Sequence, residues 1–359
     1  MKVLFIAQYG PLAASSRTRV FDYLPLLEAD GVAAEVVVVA PDALVASAGG
    51  EGRASRWLYY LRSFWRTFRV GWSCVWWVRR YDVLFIQKVL FPFPVPWCLR
   101  FSRHKVLFDF DDAIFTTEAP GEDWSARLRT WRHRRGLPQM LRAACHSVVE
   151  NPYTRSYAER YCPEVSILTG PIDTERYCPG GREADGEVVL GWIGSRSTAR
   201  YLDLIRAPLA ELGLRYPHLR LCLIGAGAFQ AEGLRTDDQN WSWETEVAAL
   251  QRFDIGLMPL PDDSWTRGKG GYKVLQYFAM GLPVVASPVG INRELVEEGN
   301  NGFLAACDTE WVVHLERLIM DSKLRRRMGE AGRRKMEACY SLKRSSRRLL
   351  QILESVAGG

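Results

Sequence analysis

Short apolar runs recur along the chain, each followed by a turn carrying Gly, Pro or charge and then by a stretch with helical periodicity. Six lie in the first half: KVLFIAQ (2–8), AEVVVVA (34–40), DVLFIQ (82–87), KVLFDF (105–110), HSVVE (146–150) and VSILTG (165–170). Five follow in the second: EVVLGWIG (187–194), LRLCLIG (219–225), FDIGLMPL (253–260), PVVAS (283–287) and GFLAA (302–306). They are rich in β-branched residues and apolar throughout, as strands are when helices cover both faces of a parallel sheet. Regular alternation with helix-like segments predicts an α/β chain. A segment rich in Gly, Pro and charge at 169–187 divides it. We expect a Rossmann-like N-terminal domain over 1–172 and a Rossmann-like C-terminal domain over 173–340, facing each other across a cleft. A last helix, about 341–359, carries Leu349, Leu350, Ile352 and Leu353 near one face and is expected to pack back on the first domain.

Composition narrows the classes. A length of 359 residues fits two average domains, and a hydrophobic fraction of 48% is that of a globular protein. The formal charge of +6 favours phosphates or an anionic membrane surface, and no nucleic-acid-binding signature accompanies it. Eight cysteines lie scattered without a C-x-x-C pair, so they read as reduced thiols in a cytoplasmic protein rather than as zinc ligands. The N-terminal apolar run is too short for a signal peptide, and nowhere do about twenty apolar residues run together as a membrane span requires.

The stretch RGKGGYKVLQYFAMGLPVVASPVG (267–290) sets Lys269 and Lys273 among glycines where a helix begins. A helix N-terminus carries unpaired N–H groups and partial positive charge, so lysines there are unfavourable unless an anion compensates them. Gly268, Gly270 and Gly271 would let backbone N–H groups approach a phosphate closely; the alternative is a solvated loop. In DFDDAIF (109–115), Asp109 and Asp111 alternate onto one face of a strand end, with Asp112 opposite or already in the turn. Three readings compete: a divalent-metal D-x-D, a binder or base for substrate hydroxyls, and a helix cap through Asp112. In QYGPLAASSRTR (8–19), Gly10 allows a tight turn, and Arg17 and Arg19 fall where a helix should start. They suit a bound anion or surface salt bridges.

The segment 53–80 holds nine aromatic residues and no Asp or Glu. At helical spacing Trp57, Leu61, Phe64, Trp65, Phe68, Trp72, Val75 and Trp76 share a face, edged by Arg62, Arg66, Arg69 and Arg80. That pattern fits a helix lying on an anionic membrane surface; the alternative is a helix packed on the N-terminal sheet. A lone G-x-G in LIGAGA (223–228) is a weak dinucleotide signal.

The segment GYKVLQYFAMGLPVVASPVGINRELVEEGNNGFLA resembles the donor-binding region of retaining GT-B glycosyltransferases, the large bacterial family 4 or group 1, in a branch with a K-x-x-x-K-x-x-Q-Y-x-A motif. GWIGSRSTARYL, IDTERYCP and FDIGLMPL resemble the same family, and SSRTRVFDYLPLLEADG and DFDDAIF match one branch of it. The resemblance implies a metal-independent enzyme without cofactor, whose nucleotide-diphosphate sugar lies against the C-terminal domain. It implies that Lys273 neutralises the diphosphate, with Gly10, Gly194, Ser195, Arg196, Thr198, Lys269, Gly270 and Gly271 around the phosphates and Arg200 as a further cation. It further implies Asp111 and Asp112 at the reacting sugars, Arg17 and Arg19 toward the acceptor, and Trp243 and Glu244 near the base. The family's usual pair of glutamates is replaced by Gly268 and Gln276; Gln276 can still hydrogen-bond a ribose diol, or simply face solvent. The implied activity is sugar transfer with retention to a glycan or lipid-linked acceptor, in cell-surface polysaccharide or glycolipid synthesis at the inner face of the membrane. The alternative is a non-catalytic GT-B subunit that binds a sugar nucleotide or glycan and regulates a partner.

Overall fold

The computed structural model describes residues 1–42, 53–116, 124–180 and 186–358. Two compact units result. The first comprises Met1–Pro171, Gly268–Gly270 and the C-terminal helix Leu342–Gly358; the second comprises Ile172–Arg267 and Gly271–Ser341.

The first unit is built on a six-stranded sheet in the order β2-β1-β3-β4-β5-β6. Its strands are β1 (Lys2–Tyr9), β2 (Ala33–Ala40), β3 (Val83–Gln87), β4 (Val106–Phe110), β5 (His146–Val149) and β6 (Glu164–Ile167), and every pairing is parallel. β3 and β4 are buried along their whole length, which explains why their sequences show no polar alternation. The C-terminal helix buries Leu349, Ile352, Leu353 and Val356 against a core that includes Val3, Phe5, Phe85 and Leu107.

The second sheet runs β12-β11-β10-β7-β8-β9. It is formed by β7 (Val188–Ile193), β8 (Leu219–Ile224), β9 (Arg235–Gln239), β10 (Ile255–Met258), β11 (Val284–Ala286) and β12 (Gly302–Leu304), again all parallel. All eleven apolar runs become strands. β9, with the sequence RTDDQ, has no apolar signature because it is an edge strand paired only with β8. At Gly191, in the middle of β7, a Cβ would lie 1.9 Å from the Phe253 ring, so this strand requires glycine for packing.

In both sheets the chain leaves the first strand in one direction and later resumes on its other side, between β1 and β3 and between β7 and β10. Crevices at the carboxyl ends of strands beside such reversals are where parallel α/β sheets bind ligands. The two candidate sites lie there.

Candidate active site

In the second unit, β7 ends at Ile193 and the chain turns at Gly194, whose N–H donates to the Ile224 carbonyl at 3.0 Å. A Cβ on Gly194 would stand 2.7 Å from Lys273 Nζ and 2.5 Å from the Trp192 ring, so a bare backbone is required for the lysine to reach this turn. Lys273 occupies the first turn of the helix Tyr272–Ala279, and its Nζ lies 4.1 Å from the centre of the buried Trp192 ring. The helix is preceded by Gly271 at φ +68°, a left-handed conformation that suits glycine, and a side chain there would also strike Leu295. Ser195 begins the short helix Arg196–Ala199 and donates its N–H to Thr198 Oγ1 at 3.3 Å, leaving Arg196 exposed beside Gly227. Gly225, at φ +75° after β8, approaches the Gly194 carbonyl so closely that a Cβ would sit 2.4 Å from it.

The structure thus brings Gly194, Ser195, Arg196, Thr198, Gly271 and Lys273 to one end of the second sheet. Lys269 and Gly270 belong to the segment that groups with the first unit. Gln276 departs from the solvent-facing alternative. It is buried and donates from Nε2 to Glu246 Oε1 at 2.7 Å. Glu246, 2% exposed, also accepts from the Tyr177 hydroxyl and the Trp241 indole N–H. The Gln276 amide donor is therefore committed to a buried carboxylate. Sequence reading missed Glu246; its only signal was an acid at the start of the helix Glu246–Leu250, shortly after Trp243 and Glu244. Trp243 carries the Arg176 guanidinium 3.5 Å from its ring centre, and Glu244 is exposed.

In the first unit, the carboxyl ends of β1, β3 and β4 gather a polar network. Gln87 accepts from the Ser16 hydroxyl at 2.9 Å and the Gln8 N–H at 3.1 Å, and donates to Ser15 Oγ at 3.0 Å. Lys88 follows at φ 60°, a conformation that costs a non-glycine residue energy and is retained where surroundings over-determine it. Here Lys88 Nζ lies 2.6 Å from Asp111 Oδ1 and 2.7 Å from Asp112 Oδ2. Burial pushes the Asp111 carboxyl up, but the Lys88 charge and hydrogen bonds from Lys88 and Ser15 outweigh it and leave the group below its ordinary value. Asp111 and Asp112 thus face a common cation, whereas Asp109 is turned elsewhere. That replaces the expected alternation of Asp109 with Asp111. The strand ends at Phe110, so its alternation does not extend to Asp111 and Asp112. Among the described residues no cluster of three or more His, Cys, Asp or Glu side chains has the arrangement of a metal site.

Asp109 is fully buried and receives Arg19 Nε at 3.1 Å, while Arg19 Nη1 reaches Glu150 Oε1 at 3.1 Å. Burial pushes the Asp109 carboxyl up and the Glu150 carboxyl up to about 8, with Arg19 opposing both shifts. Arg19 is 1% exposed, which differs from a surface or acceptor-facing role. Nor do Arg17 and Arg19 sit at a helix start: both lie in the last turn of Ala14–Arg19, where cations complement the dipole. Arg17 is buried and contacts the Pro11 carbonyl at 3.4 Å. Gly10 precedes this helix, and a Cβ there would meet the Asp42 carboxylate at 2.3 Å.

The aromatic segment forms the helix Arg53–Trp77. Its buried face is made of small residues, Thr67, Gly71 and Cys74, followed by Val78 just past its end. Leu61, Phe64, Trp65, Trp72 and Trp76 point outward and are exposed, Phe68 and Val75 are half-buried, and the Trp57 side chain lies outside the described residues. Arg62, Arg66, Arg69 and Arg80 are exposed beside them. No described helix is long and apolar enough to cross a membrane.

Comparison with known proteins gives a family match over part of the chain and a fold match over nearly all of it. Residues 187–321 match the family model described as Glycosyl transferases group 1. The chain is 27% identical over 222 residues to the GDP-mannose-dependent monoacylated alpha-(1-6)-phosphatidylinositol monomannoside mannosyltransferase of Corynebacterium glutamicum, covering 54% of this chain and 57% of that protein. It is 23% identical over 223 residues to the D-inositol 3-phosphate glycosyltransferase of Corynebacterium urealyticum, covering 54% and 51%. The chain thus spans about half the length of these two curated relatives. Among solved structures, sucrose-phosphate synthase from Thermosynechococcus elongatus superposes with a TM-score of 0.69 at 12% identity, covering 99% of each chain. Anabaena HepE in complex with UDP gives 0.66 at 15% identity, covering 99% of this chain and 100% of that one. Residues 187–321 therefore resemble the group 1 glycosyltransferases, and the whole chain has the GT-B fold of these solved structures.

Proposed function

We propose that the protein is a retaining, metal-independent glycosyltransferase that moves a sugar from a nucleotide-diphosphate sugar to a glycan or lipid-linked acceptor, in cell-surface polysaccharide or glycolipid synthesis. The observation that carries this reading is Lys273 Nζ held against the bare backbone of Gly194 at a helix start. A lysine ammonium and a helix N-terminus both attract anions, and here they converge on one turn. A nucleoside diphosphate suits that turn, and HepE, which shares the fold, forms a complex with UDP. When the sugar leaves, negative charge grows on the departing phosphate, and Lys273, the exposed Arg196 and the N–H groups around Gly271 stabilise it. Gln276, fixed by Glu246, presents its amide oxygen to a ribose hydroxyl. In retention the acceptor hydroxyl attacks the face from which the phosphate departs, and a phosphate oxygen takes its proton, so no strong protein base is needed. Asp111 and Asp112, both within reach of Lys88 Nζ, accept hydrogen bonds from sugar hydroxyls. The helix Arg53–Trp77 rests on the anionic inner surface of the membrane, where a lipid-linked acceptor lies.

The test is turnover. Incubation with UDP-, GDP-, ADP- and TDP-sugars in EDTA, with and without membrane lipid extract, should release one nucleoside diphosphate only when acceptor is present, and the product should keep the donor's anomeric configuration by NMR. Binding without turnover would make the protein a regulatory sugar-nucleotide subunit. A requirement for divalent metal would exclude the phosphate-neutralising role assigned to lysine and arginine.

A further inference from the structure

The aromatic helix is one part of a larger exposed surface. Gly71 of that helix packs where a Cβ would meet the Phe91 ring at 2.6 Å and Val95 at 3.1 Å. Gly136, in the helix Trp124–Ala143, approaches Leu90 in the same way, with 3.3 Å left for a Cβ, and Arg132 Nη2 donates to the Leu90 carbonyl at 3.3 Å. The two long helices therefore both pack on the segment that leads into the short helix Val95–Leu99, which touches each of them. From this corner Trp97 and Phe101 project as an edge-to-face pair with ring centres 5.0 Å apart, 55% and 73% exposed. Trp131, on the second long helix, is 54% exposed with the Arg135 guanidinium 5.6 Å from its ring centre. Trp76, on the first, is 57% exposed with Arg79 placed likewise at 5.4 Å.

Exposed tryptophans on three adjoining elements are unusual for a surface that meets only water. The charge is as one-sided as the aromatics. Arg53–Trp77, Val95–Leu99, Arg100–Lys105 and Trp124–Ala143 contain no Asp or Glu, whereas the whole chain carries 41 of them. Each Trp–Arg pair combines a ring suited to the acyl boundary with a cation suited to a headgroup phosphate. Resting on the membrane reading of Arg53–Trp77, we infer that the lipid contact is a composite face. In it Trp97, Phe101 and Trp131 insert alongside the aromatic helix, and the occupant is an anionic bilayer rather than a protein partner. Two separate insertion elements would also fix the orientation of the unit on the membrane, which a single helix, free to roll about its axis, does not.

Flotation of the full chain with vesicles of phosphatidylcholine containing about one third phosphatidylglycerol tests this. Wild type should float with these vesicles, less so at high salt, and poorly with phosphatidylcholine alone. Trp97→Ser/Phe101→Ser/Trp131→Ser should lower the partition coefficient on the order of a hundredfold, as expected for three partly inserted rings. Trp65→Ser/Trp72→Ser/Trp76→Ser should lower it comparably. All these side chains are exposed, so circular dichroism should report an intact fold in both variants. Wild type that floats while the first triple variant floats equally well would overturn the composite face and leave the helix reading standing. Failure of wild type to float at all would overturn both. A lipid-free dimer that the first triple variant converts to monomer, without change in flotation, would assign the patch to a second copy of the chain instead.

Discussion

Replacing Arg19 by methionine removes one guanidinium from a site with almost no solvent. Asp109 and Glu150 both lie within hydrogen-bond distance of it, and the Leu168 and Gly170 carbonyls accept from the same group. Methionine fills much of the volume but leaves two buried carboxylates facing each other without a cation. Breaking a buried ion pair by deleting one partner costs roughly 3–5 kcal/mol, because the remaining charge stays desolvated. For a unit of this size each kcal/mol lowers the melting temperature by about 2–4 °C, so the transition of the first unit should fall by roughly 6–20 °C. Differential scanning calorimetry on the full chain should show that loss, with the nucleotide-stabilised transition of the second unit unmoved. Arg19→Met combined with Asp109→Leu and Glu150→Gln should recover a large share of it, since an apolar replacement of the whole cluster removes the stranded charge. A single variant within about 1 kcal/mol of wild type would refute the argument. If that variant also lost affinity for acceptor, Arg19 would be a ligand-binding residue after all.

The same cluster gives a pH dependence. With its pKa raised to about 8 by burial, Glu150 holds a proton in the folded state that the unfolded chain has already released, so its contribution to stability falls as pH rises toward that value. Urea midpoints of Glu150→Gln should therefore gain on wild type between pH 5 and about pH 8 and then level off; a constant gap would contradict the assignment. Lys88→Met leaves Asp111 and Asp112 unpaired against each other, and should cost acceptor kcat/KM about 10–100-fold with donor affinity unchanged, the scale of a lost charge-assisted hydrogen bond. Equal activity would remove these aspartates from the site. Gly194→Ala should displace Lys273 and weaken nucleotide binding at least about tenfold by calorimetry, and because the buried Trp192 ring must also shift it should lower stability by roughly 1–3 kcal/mol. Gly191→Ala, against the Phe253 ring, should likewise lower stability by roughly 1–3 kcal/mol.

Much of the fold was legible because buried parallel strands leave an apolar signature that needs no partner to be read. β9 left none: Thr236, Asp237 and Asp238 belong to an edge strand, where polar side chains are tolerated, and Asp237 pairs with Arg220 of the neighbouring strand. The aromatic helix showed its period in the sequence, yet periodicity alone does not say which face is inside. The buried positions are Thr67, Gly71 and Cys74, and the bare Gly71 lets the helix approach Phe91 and Val95. The pairing of Arg19 with Asp109 spans 90 positions and follows no repeat, so it emerges only once β1 and β4 are placed in one sheet. Lys88 was invisible for a related reason. Its left-handed backbone and its grip on Asp111 and Asp112 depend on strand ends brought together by topology. Glu246 likewise becomes meaningful only as the meeting point of Tyr177, Trp241 and Gln276.

Nucleotide binding tests the central claim most directly. Isothermal titration of the full chain with UDP, GDP, ADP and TDP, each in EDTA and again in magnesium, should show one nucleotide binding equally well under both conditions. Lys273→Ala should weaken that binding by roughly 10–150-fold, the equivalent of one charge-assisted contact to a phosphate. Binding that needs magnesium and ignores Lys273 would contradict the account and return attention to Asp111 and Asp112 as metal ligands.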